Sequence, residues 1–209
     1  MPKSNDSHIR FDLKVIASWI EKNARILDLG CGEGDLLVFL KKHKDVRGTG
    51  IDQKEENVSK CVEKGLSVIQ GDINEEVRDY PPHSFDYVIL SQTLQQVYAP
   101  SDLIWSLLEI GKKVIVSFPN FSHWRIRYQI LFSGYVPVTP ELPYEWYNTP
   151  NIRVITMNDF RKYARQIGFQ ILKEAAINTN PRRKSQGKIM RWFPDLFAAY
   201  GIFLISNKK

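Results

Sequence analysis

Residues Ile26 to Gly34 read Ile-Leu-Asp-Leu-Gly-Cys-Gly-Glu-Gly, an apolar run that meets an acid and then three glycines at alternate positions. The apolar run has the length of a buried strand, and the glycines let the chain turn sharply and approach a ligand with no Cβ in the way. A strand, such a turn and a helix behind it open a nucleotide-type site in a parallel α/β sheet. The pattern is D-x-G-x-G-x-G, and Asp35 stands where a dinucleotide fingerprint places its third glycine. A helix N-terminus favours anions, but Asp28 and Asp35 repel a pyrophosphate. The site suits a cationic or neutral ligand instead.

Two later acids fall in step with the first. About twenty residues beyond the glycines, Gly48-Thr49-Gly50-Ile51-Asp52 reads as a second strand ending in an acid, where such folds hold ribose hydroxyls. A carboxylate has two acceptor oxygens and takes both vicinal hydroxyl protons at once. A third strand, Leu66 to Gln70, runs into Gly71-Asp72-Ile73. Each acid alone has an ordinary alternative as a helix N-cap or turn residue, but three at successive strand ends favour a site. Together these stretches resemble the opening motifs of class I S-adenosylmethionine-dependent methyltransferases, whose ligand carries a sulfonium and an ammonium and no phosphate. The resemblance implies S-adenosylmethionine or S-adenosylhomocysteine as cofactor, held by Asp28, Gly30, Cys31, Gly32, Asp52, Gln53, Asp72, Ile73 and Ser91. In it Asp72 accepts from the adenine amino group while Ile73 packs on the ring. No metal is implied.

The rest of the chain alternates helix and strand, which implies a parallel sheet. Ile9, Leu13, Ile16 and Ile20 form one stripe of a helix over roughly residues 8–23. Strands follow at Arg25–Leu29, up to Asp52, up to Gln70, at Phe85–Leu90, Val114–Phe118, near Phe169–Ala175 and at Gly201–Ser206. Helices fall at Asp35–Lys44, Glu55–Lys64, Ser101–Ile110 and around Asp159–Ile167, the last stopped by Gly168. The reading is an α/β, doubly wound, mostly parallel seven-stranded sheet of the class I methyltransferase type, its last strand antiparallel as the resemblance implies. Residues 1–209 form a single domain, with an inserted cap at about 118–155.

Composition narrows the partners. At 209 residues, 43% hydrophobic and 25% charged, the chain has ordinary globular usage. Cys31 and Cys61 are too few and too scattered for a disulfide framework or a metal site and read as free thiols in a reducing compartment. With no apolar run of membrane length and a polar start, the expected location is the cytoplasm, with no membrane partner. The net charge of +6 lies wholly beyond residue 181, because Arg182 to Lys209 holds seven basic residues and the single acid Asp195. A nucleic-acid surface is one reading of Arg182, Arg183, Lys184, Lys188 and Arg191 with Trp192 beside them. A solvated loop is the favoured one.

Residues 118–150 set this chain apart. They hold nine of its 25 aromatic residues and five of its eleven prolines. Large rings need burial and prolines stiffen the path between them, so the segment reads as an ordered cap over the carboxyl ends of the strands. Trp124, Tyr128 and Phe132 share one helical face, with Ser122 as N-cap and Gly134 as stop. The runs Phe118-Pro119-Asn120-Phe121-Ser122-His123-Trp124 and Leu142-Pro143-Tyr144-Glu145-Trp146-Tyr147-Asn148-Thr149-Pro150-Asn151-Ile152-Arg153, with Thr156 to Phe160 after them, resemble the MetW family of methionine biosynthesis proteins over nearly the whole chain. That resemblance implies a methyltransferase fold working with a homoserine O-acyltransferase, and it supplies no methyl acceptor. If methyl transfer takes place, His123, Tyr144 and Asn120 are the candidates for the acceptor side. His123 titrates in the useful range, and Gln95 and Gln96 take no proton. Two functions stay open: a cofactor-binding helper of the acyltransferase, or a methyltransferase acting on a small molecule.

Overall fold

The computed structural model describes residues 9–180 and 183–208. In chain order it contains α1 (Phe11–Trp19), β1 (Arg25–Leu29), α2 (Asp35–Lys44), β2 (Arg47–Asp52), α3 (Glu55–Glu63), β3 (Ser67–Gln70), the single turn α4 (Ile73–Glu76), β4 (Phe85–Ser91) and α5 (Pro100–Ile110). There follow β5 (Gly111–Pro119), α6 (Trp124–Ser133), α7 (Met157–Ile167), β6 (Gln170–Thr179), β7 (Gly187–Ile189), the short α8 (Pro194–Phe197) and β8 (Tyr200–Ser206). The strands form one sheet in the order β3-β2-β1-β4-β5-β8-β6-β7. Pairs among β1 to β5 are parallel, whereas β8 runs antiparallel to both its neighbours, β5 and β6.

Alternate residues of the central strands bury on opposite faces. Leu27, Leu29, Val88, Leu90, Val114, Val116 and Phe118 join α5 and α7 in one core. Ile26, Tyr87, Ile89, Ile115, Ile202 and Leu204 join α1 and α2 in the other. Burial on both faces is what makes these strands continuous apolar runs. The order reverses between β1 and β4, and this switch puts a crevice at the strands' carboxyl ends. Among the described residues no helix is long and apolar enough to cross a membrane.

Three expectations need correction. The sheet has eight strands, not seven, because Gly187–Ile189, inside the segment read as a solvated loop, pairs antiparallel with Ile177–Thr179. This strand tolerates no side chain at Gly187, where a Cβ would lie 2.3 Å from the Phe11 ring and 2.5 Å from the Asn178 carbonyl. Arg182 lies outside the described residues. Ser122 is not the cap of α6: His123 is, its Nδ1 accepting from the Arg125 amide at 3.3 Å. Gly134 does end the helix, in the left-handed region. The shared face of α6 forms, with the Tyr128 and Phe132 rings 4.6 Å apart, yet it is not buried. Phe132 is 70% exposed and Trp146 72%, and of the segment after Asn120 only Ser122, Ile126, Pro137 and Leu142 are buried before α7. The surface rings therefore contribute no core energy here.

The segment nevertheless lies at the carboxyl end of the sheet. The Phe121 amide donates to the Ile155 carbonyl, those of Ile152 and Arg153 to the Gln95 carbonyl, and the Arg153 guanidinium to the Tyr98 carbonyl.

Candidate functional site

The turn after β1 is built by Gly30, Gly32 and Gly34, all with positive φ. Gly34 has φ +77°, and a Cβ there would meet Leu66 at 2.4 Å and the Cys61 sulfur at 2.9 Å, so this glycine packs the turn onto α3. Gly32 differs, because a Cβ there meets nothing within 4 Å and its open side faces the crevice. Cys31 and Cys61, thirty residues apart in sequence, converge on the Gly32 carbonyl at 3.7 and 3.3 Å. Burial pushes both thiols up, which suits packing groups better than nucleophiles.

Asp28, Gly30, Cys31, Gly32 and Ser91 line one cavity of about 240 Å³, together with Arg10, Leu13, Glu33, Asp35 and Leu36. Asp52 lies behind the loop, not on the cavity wall. Its Oδ2 accepts from the Gly32 amide at 2.8 Å, and its Oδ1 from the Lys54 amide at 3.0 Å and Asn57 Nδ2 at 2.9 Å. One lone pair on Oδ2 stays available, because each carboxylate oxygen has two. Asp72 Oδ1 caps α4 through the Asn74 amide at 2.8 Å, while its Oδ2 accepts from Gln53 Nε2 at 3.0 Å. Ile73 turns into the core. Ser91 Oγ lies 3.0 Å from Ser117 Oγ.

The electrostatics favour a cation. Among the described lining residues Arg10 is the single cation against Asp28, Glu33 and Asp35. Asp28 is buried, only 3% exposed, with no hydrogen-bond partner among the described residues. Desolvation, with the Asp52 charge adding, pushes its carboxyl up to about 7, and Arg10 pulls the other way. Below pH 7 the free protein holds Asp28 neutral, so a cation bound against it must displace a proton. Affinity for S-adenosylhomocysteine is therefore expected to rise about tenfold per pH unit up to pH 7 and to level above it. Calorimetry from pH 5.5 to 8.5 measures this, with Asp28→Asn as the flat control. A flat profile in the unmodified protein contradicts a cation bound against Asp28.

The catalytic candidates lie apart from this cavity. Asn120 is buried and its amide is committed: Nδ2 donates to the Asp195 and Ala198 carbonyls at 3.0 and 2.9 Å. Its Oδ1 accepts from Ser122 Oγ at 2.8 Å and from the Met157 amide at 3.4 Å. That leaves it a fastener between β5, α7 and α8, with no free donor for an acceptor molecule. His123 lines a different, smaller cavity with Glu141 and Leu142, and burial holds its imidazole below the ordinary range. Tyr144 is exposed.

Sequence reasoning missed Arg10, Asp12 and Gln92. Arg10 bonds the buried Asp12 through two contacts, Nε to Oδ1 at 3.1 Å and Nη2 to Oδ2 at 2.5 Å, and Gln92 Nε2 donates to the same Oδ2 at 2.7 Å. Burial disfavours the Arg10 charge, and Asp12 more than restores it. The one available signal was Asp12 itself, a charge next to the apolar stripe of α1.

A mostly parallel sheet with an antiparallel strand beside β5, and a glycine turn at the β1–β4 switch, defines the class I methyltransferase fold. A S-adenosylmethionine-dependent methyltransferase from Archaeoglobus fulgidus superposes with a TM-score of 0.68 over 94% of this chain and 91% of that one, at 16% identity. The chain belongs to the MetW family: residues 10–205 match the family described as methionine biosynthesis protein MetW. A bifunctional methionine biosynthesis protein MetXA/MetW from Rhodopirellula baltica is 33% identical over 179 residues, 81% of this chain and 29% of that protein. A trans-aconitate 2-methyltransferase from Mycobacterium tuberculosis is 29% identical over 134 residues, 60% of this chain and 50% of that enzyme. The chain thus spans no more than half the length of either relative.

Proposed function

We propose that the protein binds S-adenosylmethionine or S-adenosylhomocysteine beside the glycine turn and supports a homoserine O-acyltransferase of methionine synthesis in the cytoplasm. The observation that carries the cofactor reading is Asp28, a buried carboxylate without a hydrogen-bond partner among the described residues, on a wall whose single described cation is Arg10. The methionyl end of the cofactor carries an ammonium that suits Asp28 and a carboxylate that suits Arg10. Asp52 and the Gln53–Asp72 pair lie at the ends of β2 and β3, on the side expected for ribose and adenine. When bound, S-adenosylmethionine supplies an electrophilic methyl group.

Support for the partner comes from the Rhodopirellula relative, whose name joins MetXA and MetW in one polypeptide. The exposed rings of Trp124, Tyr144 and Trp146 have the chemistry of an interface, where aromatic and Arg side chains carry much of the energy. A homoserine O-acyltransferase from the same cell is expected to co-elute with this chain on a sizing column. Trp146→Ala should weaken the complex by about 2 kcal/mol. Separate elution of the two unmodified proteins contradicts the proposal.

The second reading, methyl transfer to a small molecule, is favoured by the likeness to trans-aconitate 2-methyltransferase. In-line transfer needs alignment first and a base only where the acceptor must lose a proton. His123 does not line the cofactor cavity.

A further inference from the structure

Arg10 is a shared wall. On its far side lies a second cavity of about 50 Å³, bordered by Arg10, Asp12, Gln92, Glu141, Lys184 and Tyr200. These residues come from the start of α1, the turn after β4, the 134–156 segment, the stretch before β7 and the start of β8, all at the carboxyl end of the sheet. A cavity of this size holds about four waters. It admits a small polar molecule and excludes a nucleotide or a fatty chain.

The charges on its walls sort into two pairs. Arg10 and Asp12 bond one another, with Gln92 completing Asp12, so their charges balance on this wall, while the guanidinium keeps N–H donors for the cofactor cavity. Glu141 and Lys184 are different. Neither side chain has a hydrogen bond or an ion pair among the described residues, although Glu141, half-buried, acts electrostatically on His123 and Tyr200, and Lys184 is exposed at the mouth. One unpaired carboxylate and one unpaired ammonium on the same small cavity complement a ligand that carries both charges. A ligand with a carboxylate alone would leave Glu141 opposed, and an amine alone would leave Lys184 opposed.

The wall between the cavities is firm. Gln92 holds φ +55°, a left-handed conformation that side chains other than glycine rarely adopt and that tends to persist at functional sites. Its amide donates to the Ser117 carbonyl at 2.9 Å and to Ser117 Oγ at 3.1 Å, while its side chain holds Asp12.

We propose that this cavity binds a small α-amino acid as its zwitterion, with the ammonium toward Glu141 and the carboxylate toward Lys184. Its affinity is coupled to cofactor binding through Arg10. The coupling rests on the cofactor reading above, and the amino-acid site does not.

The test is calorimetric titration of the full chain with L-homoserine and with L-methionine, each with and without saturating S-adenosylhomocysteine. 4-Hydroxybutyrate, which lacks the ammonium, and 3-aminopropan-1-ol, which lacks the carboxylate, are the charge-deleted probes. At least one amino acid is expected to bind ten times or more tightly than either of these. Glu141→Gln and Lys184→Gln should each weaken that binding at least tenfold, with S-adenosylhomocysteine affinity unchanged within a factor of about two as proof of folding. Failure of both amino acids to bind, equal binding of the charge-deleted probes, or variants with unaltered affinity overturns the site. An amino-acid Kd that is the same with and without S-adenosylhomocysteine overturns the coupling. Amino-acid binding without any S-adenosylhomocysteine binding removes the cofactor reading and upholds the site.

Discussion

Asp52→Ala is expected to weaken S-adenosylhomocysteine binding by about 1.5–3 kcal/mol, roughly 10- to 150-fold in Kd. Two losses combine. The ribose hydroxyls lose their charged acceptor, and the glycine turn loses the brace that Asp52 provides through the Gly32 amide, the Lys54 amide and Asn57. The second loss also acts without ligand, since three part-buried donors lose their acceptor, so the melting temperature of the free protein should fall as well. Asp52→Asn separates the two. It keeps the shape and an acceptor oxygen, but its amide nitrogen turns a donor toward the Gly32 or Lys54 amide. It is expected to fall between the native protein and the alanine variant in both measurements. Unchanged affinity in the alanine variant, read by calorimetry, contradicts the placement of the ribose.

Asn120→Ala is expected to act on stability alone. The side chain serves two backbone carbonyls, the Ser122 hydroxyl and the Met157 amide from a position 1% exposed. Each buried group left without a partner costs about 1–3 kcal/mol. Ser122 Oγ still donates to the Asp195 carbonyl at 2.7 Å, which limits the loss. The net cost should be about 2–4 kcal/mol, a fall in Tm of roughly 5–15 °C for a chain of this length. Below the transition, S-adenosylhomocysteine should bind as before. A native Tm with altered ligand binding or activity would return Asn120 to the list of acceptor-side residues.

The half of the fold that carries the glycine turn was legible because its strands bury on both faces. Val88, Ile89 and Leu90 have no polar alternative, and the turn after Leu29 needs glycine for reasons local to it. The strand β7 was not legible, since three residues with one lysine show neither alternation nor an apolar run. What makes them a strand is the edge of β6 and the room beside Phe11, both far away in sequence. The aromatic segment misled for a related reason. A ring's burial depends on what covers it, and the composition of 118–150 is the same whether the cover is this chain's core or another protein.

The site divides in the same way. Asp28, Asp52 and Asp72 could be found because strand ends and acids coincide in order along the chain. The ordinary alternative for an acid at a strand end also applies, since Asp72 caps α4 and Asp52 braces the turn. The Arg10–Asp12–Gln92 network joins residues eighty positions apart, and nothing in the spacing of one sequence announces it.

A homoserine acylation assay with the acyltransferase alone, then with this chain, and then with this chain and S-adenosylmethionine decides whether the chain supports acylation. Acylation is expected to rise when the chain is added, and the Trp146→Ala variant to need a higher concentration to produce the same rise. Acylation that does not change with any amount of the chain, while the chain itself methylates a small acceptor, would contradict this expectation.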